Sequence, residues 1–363
     1  MKLALIGNYG ATNVGDDAIL TALLKLFAGH QITVFSAHPQ QTQKQFKVPS
    51  VFLFPLGIRS MLKFRFKHSR NALKSVDAVI LGGGGLFQDD RLFACFLWAW
   101  QVFWVKRMKK PLFIFATGVG PLKTKLGKRL TRWAYRQAKT ITVRDEASVK
   151  ILLNLGFTQD QIHQTADPAF LFEAPLPLKK AGKKRLLVSI RPWLNYTPVV
   201  LEVMVDFLNK LKEQDWEFTF VSMQSIKEED QSLLKQLIAK VGGKFLIPGD
   251  FSALLKEMTQ ADAVVGMRYH FLIAALLTNI PFVAISYSPK VSELVENTPL
   301  QSYSIAVEKL SLERLQACFD SLIAHYNEVG VEQGELLKKL TMLAEKNQEL
   351  FQEFIKTIDL SKC

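Results

Sequence analysis

An arginine and a histidine two residues apart are the residues in this sequence most suited to chemistry. Residues 262–270 form a mainly apolar stretch that ends in Arg268, Tyr269 and His270, and a second apolar stretch follows directly. The pattern predicts a short buried strand, a tight turn and a helix, with Arg268 and His270 at the turn. A fixed cation, a titratable ring and a helix N-terminus would then surround one small volume, which suits a compact anion with carboxylate or phosphate groups.

A glycine-rich turn after the first predicted strand is a second candidate. Residues 7–17 contain three glycines, Asn13 and the acidic pair Asp16 and Asp17. The glycines, among them Gly10, let a backbone approach a ligand closely, but their spacing differs from the dinucleotide-binding fingerprint. The acidic pair disfavours a pyrophosphate and suits a sugar hydroxyl or a general base. The structural alternative is a tight turn in which one aspartate caps the following helix.

Four consecutive glycines at 82–85 follow another buried strand. Glycine loses more conformational entropy on folding than other residues, so we expect this backbone to pass close to another group. The residues expected at the same rim are Gly84, Gly85, Gln88 and Asp89. In the alternative interpretation, Asp89 only caps the helix that begins nearby.

Two further arginines follow predicted strands. Arg144 comes directly after an apolar strand and opens a helix, so we expect it at the carboxyl end of that strand. Its alternative role is an ion pair with Asp145 or Glu146. Arg191 occupies the same position after the first strand of the second half, and it is a less specific signal.

Strands alternate with helices in both halves of the chain, which predicts mostly parallel sheets covered on both faces. We therefore predict an α/β protein with two Rossmann-like, doubly wound domains. The predicted ranges are 1–174 and 183–309, followed by C-terminal helices at 310–363. Two such domains commonly bind ligands in the cleft that the carboxyl ends of their strands face.

The formal net charge of +13 indicates an anionic partner or a solvated basic surface. The basic clusters lie at 59–74, 106–110 and 123–139. No zinc finger, aromatic RNA-binding motif or long basic helix accompanies them, so we expect no nucleic acid. An anionic membrane surface or a phosphate-bearing substrate explains the charge equally well.

No predicted helix is long enough to cross a membrane. The most apolar window, 92–105, is shorter than the roughly 20 residues that a transmembrane helix needs, and it is predicted to be a buried helix. Residues 52–74 mix aromatic and basic side chains, a composition that suits the headgroup boundary of a membrane. The chain begins with a predicted strand rather than a secretory signal, and three cysteines without metal-binding spacing fit a reducing cytoplasm.

Together these blocks resemble the polysaccharide pyruvyl transferase family. The resemblance is carried by the glycine-rich turn from Gly7 to Asp16, the 82–85 run with Gln88 and Asp89, Val143-Arg144-Asp145 with Ser148, Asp167-Pro168, and Gly266-Met-Arg268-Tyr-His270. Within the family, the chain resembles bacterial members that pyruvylate cell-wall glycans involved in anchoring surface-layer proteins.

The resemblance implies a fold like that of two-domain GT-B glycosyltransferases and phosphoenolpyruvate as a co-substrate, with no cofactor. It implies that Arg268 and Tyr269 bind the donor and that His270 is catalytic. Arg144 and Asp16 are carried over as a donor-binding and a catalytic residue. Arg191 is kept as a donor-binding candidate on its position alone.

Ketal formation from phosphoenolpyruvate gives these residues specific tasks. Arg268 and Arg144 would bind the carboxylate and phosphate in forked geometry. Donor binding would charge His270 and make it a general acid or a stabiliser of the leaving phosphate. Asp16 or Asp89 would orient or deprotonate the acceptor hydroxyl, with Asn13, Gly10, Gly84, Gly85 and Gln88 lining the acceptor side. No metal is required, although a few convergent carboxylates could hold Mg²⁺.

The acceptor implied is a lipid-linked or polymeric glycan, which would place the protein in the cytoplasm, at the inner face of the membrane. Two alternatives remain open at this point. One is a GT-B glycosyltransferase that uses a nucleotide sugar, because the same fold hosts both activities. The other is a non-catalytic protein that binds a glycan or a membrane.

Overall fold

A computed structural model of the chain describes residues 1–56, 64–89, 92–175, 182–225 and 228–359. The chain divides into two compact units. Unit 1 consists of Met1–Ala11, Ile19–Leu171 and Leu340–Cys363, and unit 2 of Thr12–Ala18 and Phe172–Lys339.

In the described part of unit 1, seven parallel strands form one sheet. They are β1 (Lys2–Ile6), β2 (Gln31–Ser36), β3 (Ser50–Phe52), β4 (Ala78–Phe87), β5 (Leu112–Val119), β6 (Thr140–Val143) and β7 (His163–Gln164). Their spatial order is β3-β2-β1-β4-β5-β6-β7, so the chain winds outward from β1 first in one direction and then in the other.

Helices cover both faces of this sheet because the strands are apolar on both sides. The helices are α1 (Val14–Leu26), α2 (Pro39–Phe46), α3 (Phe64–Ser75), α4 (Leu92–Arg107), α5 (Lys125–Tyr135) and α6 (Glu146–Asn154). Alternate residues of β1 enter different cores: Leu3 and Leu5 pack with Phe351 and Phe354, whereas Ala4 and Ile6 pack in the cluster that contains Trp98.

The described strands of unit 2 form a six-stranded parallel sheet. They are β8 (Lys184–Ser189), β9 (Trp216–Val221), β10 (Lys244–Leu246), β11 (Ala263–Gly266), β12 (Phe282–Ser286) and β13 (Ser304–Ala306), in the order β10-β9-β8-β11-β12-β13. The helices are α7 (Thr197–Glu213), α8 (Glu228–Val241), α9 (Phe251–Met258), α10 (Tyr269–Leu277), α11 (Pro289–Ser292), α12 (Leu312–Ala324) and α13 (Tyr326–Asp359).

Both sheets therefore have the doubly wound order of the Rossmann fold, in which the first strand of each unit lies between the second and the fourth. This confirms the predicted α/β class with two Rossmann-like units. In such a sheet the loops after the first and fourth strands diverge to opposite faces and leave a crevice at their carboxyl ends. In unit 2 these are the loops after β8 and β11.

The unit boundaries differ from the predicted ranges at two places. Residues 12–18 belong to unit 2 although they lie inside the predicted N-terminal domain. The C-terminal helices do not form a separate region, since α13 contributes its residues up to Lys339 to unit 2 and the rest to unit 1. Local sequence patterns give no sign of either assignment, because both depend on long-range packing.

None of the helices in the described ranges has the length and hydropathy needed to cross a membrane. The helix predicted at 92–105 is α4, but it is only partly buried, since Phe93, Phe96 and Phe103 are exposed. Of the basic-aromatic segment 52–74, residues 57–63 lie outside the described residues, as do residues 176–181 between the two predicted domains.

Candidate functional site

The glycine-rich turn is bound by backbone hydrogen bonds to the loop that follows β9. Val14 N donates to the carbonyl of Met223 at 3.0 Å, and Ser225 N donates to the carbonyl of Thr12 at 3.0 Å. Asn13 and Gln224 pair in an antiparallel bridge between these contacts. Residues 12–18, the second part of the turn and the start of α1, thereby belong to unit 2.

His270 lies in the first turn of α10 and packs directly against this segment. A side chain at Gly15 would collide with the His270 imidazole, so only glycine leaves room for the ring. Asp16 follows Gly15 in the first turn of α1 and is half-buried. The two predicted catalytic residues, His270 and Asp16, thus belong to the same unit.

Arg268 caps α10 through its backbone, and its side chain is only 11% exposed. Its guanidinium forms an ion pair with the buried carboxylate of Asp230, in the first turn of α8. A carboxylate near a helix N-terminus is stabilised by the helix dipole, so Asp230 is a suitable anchor for a buried cation. One face of the guanidinium is therefore committed to the protein, which fixes the direction of the remaining N–H groups.

A third group of side chains follows β12. Tyr287 is 7% exposed and contacts two cations: the Arg191 guanidinium carbon is 5.0 Å from its ring centroid and Lys290 Nζ is 5.7 Å away. Arg191 also donates a hydrogen bond to the Tyr287 hydroxyl at 3.4 Å. Trp193 packs against Tyr287 with ring centroids 4.8 Å apart. The loops after β8 and β12 therefore meet over one tyrosine.

The pKa of Tyr287 reports how strongly these cations act. Burial alone would raise the pKa, but the charges of Lys290, Arg191 and Arg268 and the hydrogen bond from Arg191 outweigh burial and lower it to about 8. The positive charge around the Tyr287 hydroxyl therefore favours its phenolate form. A region that stabilises a phenolate also stabilises other compact anions.

Two buried polar atoms at this edge of the sheet have no hydrogen-bond partner among the described residues. They are Arg268 Nε, after β11, and Ser288 Oγ, after the neighbouring strand β12. Buried donors are almost always paired, so such atoms indicate a position that a ligand or water fills. The arrangement of unit 2 can therefore bind a small anion next to a titratable imidazole.

The predicted residues Arg144, Gly85 and Gln88 lie together in unit 1. Gly85 is exposed, and a side chain there would contact Arg144 and Gln88 at 3.8 Å. Arg144 is 5% exposed; its NH1 donates to Asp167 Oδ2 at 2.8 Å, and its Nε lies 3.5 Å from Asp145 Oδ2. The alternative of an ion pair with Asp145 thus has a structural basis, and the donor-binding role of Arg144 stays a prediction.

The four glycines lie inside β4 rather than in a loop after it. A side chain at Gly82 would collide with the carbonyl of Phe115 on β5, and one at Gly83 with Ile19 of α1. Gly84 pairs with Thr117 of β5 in the strand register. The close approach that we predicted is therefore an internal one at Gly82 and Gly83, whereas the acceptor-lining role of Gly84 and Gly85 stays a prediction.

Gly10 also has an internal reason to be glycine. It adopts a φ of 70°, and a side chain there would collide with Ser36 Oγ and come within 2.8 Å of Thr42 Oγ1. Gly10 belongs to unit 1, whereas Asn13, from the same sequence motif, belongs to unit 2. Within the described ranges, no group of three or more histidines, cysteines or acidic residues could hold a metal ion.

Asp89 organises the loop that leads into α5. Its Oδ1 accepts from Lys123 N at 2.6 Å, and its Oδ2 accepts from Thr124 N at 2.6 Å and from Thr124 Oγ1 at 2.7 Å. Burial alone would raise the pKa of Asp89, but these hydrogen bonds together lower it. Because both carboxylate oxygens are occupied, Asp89 is placed as a loop cap, and its predicted part in acceptor binding stays a prediction.

We expect Asp89→Ala to destabilise the protein by about 2–3 kcal/mol, because it removes three hydrogen bonds to a buried carboxylate. Since the folded pKa of Asp89 lies below its ordinary value of 3.8, this contribution is present above that pH and is lost as the pH falls through the lower, folded value. Urea unfolding of the variant and of the exposed-site control Asp160→Ala at neutral and acidic pH measures both effects. Equal stability of the two variants at neutral pH would contradict the capping role.

Three residues of the site were missed from the sequence: Asp230, Tyr287 and Lys290. Tyr287 and Lys290 follow an apolar strand directly, as Arg268 does, and this position could have identified them. Asp230 had no such signal, because it lies in a charged helical segment that resembles an ordinary solvated surface.

A family model described as Polysaccharide pyruvyl transferase matches residues 13–289, which include Arg191, Arg268, His270 and Tyr287. The amylovoran biosynthesis protein AmsJ of Erwinia amylovora is 20% identical, over 95% of this chain and 98% of that protein.

Solved structures with the same fold include Anabaena Alr3699/HepE in complex with UDP and glucose, at 15% identity and a TM-score of 0.67, covering 98% of this chain and 99% of that one. A putative UDP-N-acetylglucosamine 2-epimerase from Listeria monocytogenes aligns at 13% identity and a TM-score of 0.66, covering 100% of this chain and 97% of that one. At these identities the likeness shows the fold alone.

Proposed function

We propose that this chain, which belongs to the polysaccharide pyruvyl transferase family, transfers the pyruvyl group of phosphoenolpyruvate to a sugar as a ketal. Its family and its homologue in polysaccharide biosynthesis make it a transferase of glycan biosynthesis. The observation that carries the proposal is the placement of Arg191, Arg268, Lys290 and His270 after three neighbouring strands of unit 2, with Arg191 and Lys290 both over the Tyr287 ring.

Phosphoenolpyruvate carries its negative charges on a carboxylate and a phosphate that are close together. Arg191 and Lys290, both close to the Tyr287 ring, provide two cations for these groups. Arg268, held by Asp230, provides fixed N–H donors. A guanidinium that is already immobilised loses little side-chain entropy on binding, which favours a tight and oriented donor complex.

The reaction needs one proton at the methylene carbon and takes one from each of two sugar hydroxyls. Protonation of the methylene makes C2 electrophilic, the first hydroxyl attacks C2, phosphate leaves, and the second hydroxyl closes the ketal. Of the two hydroxyl protons, one replaces the proton given to the methylene and the other leaves with the phosphate. His270 is the general acid, since an anion bound beside it favours the imidazolium form. Asp16, which follows Gly15 and lies in the same unit as His270, orients or deprotonates the acceptor hydroxyl.

The acceptor in this proposal is a lipid-linked or polymeric glycan, and the protein works in the cytoplasm at the inner face of the membrane. Neither a cofactor nor a metal takes part. The roles of Asn13, Gly84, Gly85 and Gln88 on the acceptor side, of Tyr269 beside the donor, and of Arg144 as a further cation remain parts of the same hypothesis.

Phosphate release from phosphoenolpyruvate with a panel of synthetic glycan acceptors tests the proposed reaction. We expect release only when an acceptor with a suitable pair of hydroxyls is present, with one phosphate formed for each ketal. Thermal-shift titration is the companion measurement, and phosphoenolpyruvate should stabilise the protein where nucleotide sugars do not. Stabilisation by nucleotide sugars alone would replace the proposal with glycosyl transfer. Binding of glycan or lipid without any phosphate release would indicate a non-catalytic protein.

Affinity for phosphoenolpyruvate should fall as the pH rises through about 8, the pKa of Tyr287. Above this pH the phenolate already neutralises the cations that the donor needs, so a proton must be taken up on binding. The affinity would then drop by up to about tenfold per pH unit. The pKa itself is measured by the ultraviolet absorbance of the phenolate.

Tyr287→Phe provides the control for this pH dependence. It should bind the donor with a flat pH profile above 8 and lose the corresponding absorbance step. Because the folded pKa of Tyr287 lies below its ordinary value of 10, the phenolate also adds stability above pH 10 that is lost as the pH falls through 8. A pH dependence that is the same in both proteins would remove Tyr287 from the donor site.

A further inference from the structure

The excess of basic over acidic residues in the chain comes from one part of unit 1. Residues 64–139 contain sixteen lysines and arginines and only three acidic residues, an excess equal to the net charge of +13 of the whole chain. All other residues together are therefore electrically balanced. A solubility effect would not require such a concentration, because interspersed charges of both signs serve that purpose.

Three neighbouring helices hold most of these charges on one face of the sheet. Phe66 of α3 packs against Trp104 of α4, with ring centroids 4.9 Å apart. Lys106 of α4 lies over the ring of Trp133 of α5 at 5.8 Å. Helix α4 is therefore the middle helix of the layer, with α3 on one side and α5 on the other.

The outer side of the middle helix is aromatic. Phe93, Phe96 and Phe103 are 66%, 48% and 38% exposed, and their spacing places them on one side of α4. Residues 93–105 contain no charged residue. An apolar stripe of this kind on the surface is seldom left in water, and it marks an interaction site.

The outer sides of the two flanking helices are basic. The exposed cations are Arg65, Lys67, Arg70 and Lys74 on α3, and Lys125, Lys128, Arg129, Arg132 and Arg136 on α5. The exposed Leu126 extends the apolar area onto α5. We call the aromatic stripe and these two basic rows together the α3–α5 surface.

We propose that the α3–α5 surface binds an anionic lipid bilayer. Phenylalanines between two rows of cations match the boundary of a membrane, where apolar rings enter the acyl region while the cations contact lipid phosphates. A nucleic acid backbone would contact the cations but gain little from the uncharged stretch 93–105 of the middle helix. The proposal depends on exposure and charge alone, so it goes beyond the proposed reaction and is tested separately from it.

Co-sedimentation with vesicles tests this surface without any substrate. The vesicles contain phosphatidylcholine alone or mixed with phosphatidylglycerol, each at low and at high salt. We expect binding to the mixed vesicles, weakened by salt, and little binding to phosphatidylcholine alone. Phe93→Ser/Phe96→Ser should weaken binding at least about tenfold at unchanged charge. Lys125→Gln/Lys128→Gln/Arg129→Gln/Arg132→Gln should weaken it at least as much.

Matched variants on α13 distinguish binding by this surface from non-specific binding to vesicles. Val331→Ser/Met342→Ser removes two side chains of similar exposure, and Lys338→Gln/Lys339→Gln/Lys346→Gln/Lys356→Gln removes four exposed lysines. Both should bind vesicles like the unchanged protein, and melting curves confirm that all variants fold. A contrary result is that the phenylalanine variant keeps full vesicle binding while only the fourfold glutamine variant of α5 loses binding to duplex DNA. That result would show a surface that binds polyanions in general, and it would overturn the bilayer proposal. Absence of binding to any vesicle would overturn it as well, and the proposed pyruvyl transfer would still stand.

Discussion

Replacing His270 by glutamine should lower kcat by about 10²- to 10⁴-fold, the usual contribution of a general acid, while the fold remains intact. Glutamine has a similar size and can still form hydrogen bonds, but it cannot deliver a proton at neutral pH. The measurement is phosphate release from phosphoenolpyruvate at saturating donor and acceptor. His325→Gln, an exposed histidine of unit 2, is the matched control and should keep full activity. Near-normal turnover of the His270 variant would refute its catalytic role.

Gly15→Ala tests the placement of His270 without changing its chemistry. The added methyl group would occupy the space of the imidazole, so the ring or the 12–18 segment must shift. Because catalysis depends on sub-ångström geometry, we expect a loss of kcat of at least about tenfold. Gly249→Ala is the control, since a side chain there meets no atom within 4 Å among the described residues. Equal activity of the two variants would show that the close contact between Gly15 and His270 has no catalytic importance.

Replacing Asp167 by alanine should destabilise the protein by about 3–5 kcal/mol, since it leaves the charge of Arg144 buried without its main partner. Asp167 is fully buried, and its Oδ2 accepts from Arg144 NH1 at 2.8 Å. Its Oδ1 also accepts from Ala169 N at 3.0 Å, so the loop after β7 loses a hydrogen bond too. The free energy of unfolding is obtained from urea denaturation followed by tryptophan fluorescence.

A surface ion pair of the same unit provides the comparison for Asp167. Glu146 and Lys150 lie one helical turn apart at 2.8 Å, with side chains 58% and 67% exposed. Glu146→Ala should reduce the stability by no more than about 0.5 kcal/mol, because solvent screens an exposed pair. If both variants lost equally little stability, the buried pair would not be a stabilising feature of unit 1.

The alternation of apolar and polar stretches was sufficient to predict the architecture. The period of the pattern and the length of each stretch distinguish strands from helices, and parallel strands joined by helices restrict the topology. For this reason α4 was predicted at 92–105, within two residues of its observed end, and the turn at Arg268 was placed between β11 and α10. The glycines at 82–85 were predicted to follow a strand and to approach another group closely, whereas they lie inside β4 and Gly82 and Gly83 approach the protein itself, because internal close packing and ligand contact select the same residue type.

The candidate site was predicted in part for the same reason. Side chains directly after a parallel strand lie at its carboxyl end, so Arg191, Arg268 and His270 could be assigned to one edge of a sheet from the sequence. Tyr287 and Lys290 satisfy the same rule. The partners of these residues could not be assigned in this way. Asp230 is 38 residues from Arg268, and a local pattern of apolar and polar residues does not predict a contact over that separation.

The sequence by itself determined which segments become strands and helices and which side chains stand at strand ends, because burial and dihedral preferences are local properties. The tertiary structure alone decided that Gly15 lies against His270, that Asp230 holds Arg268, that Asp167 holds Arg144, and that α4 exposes its phenylalanines between two basic helices. These relations arise where separate elements pack together. A contact of that kind depends on the paths of all the loops between its partners, and no short stretch of sequence specifies them.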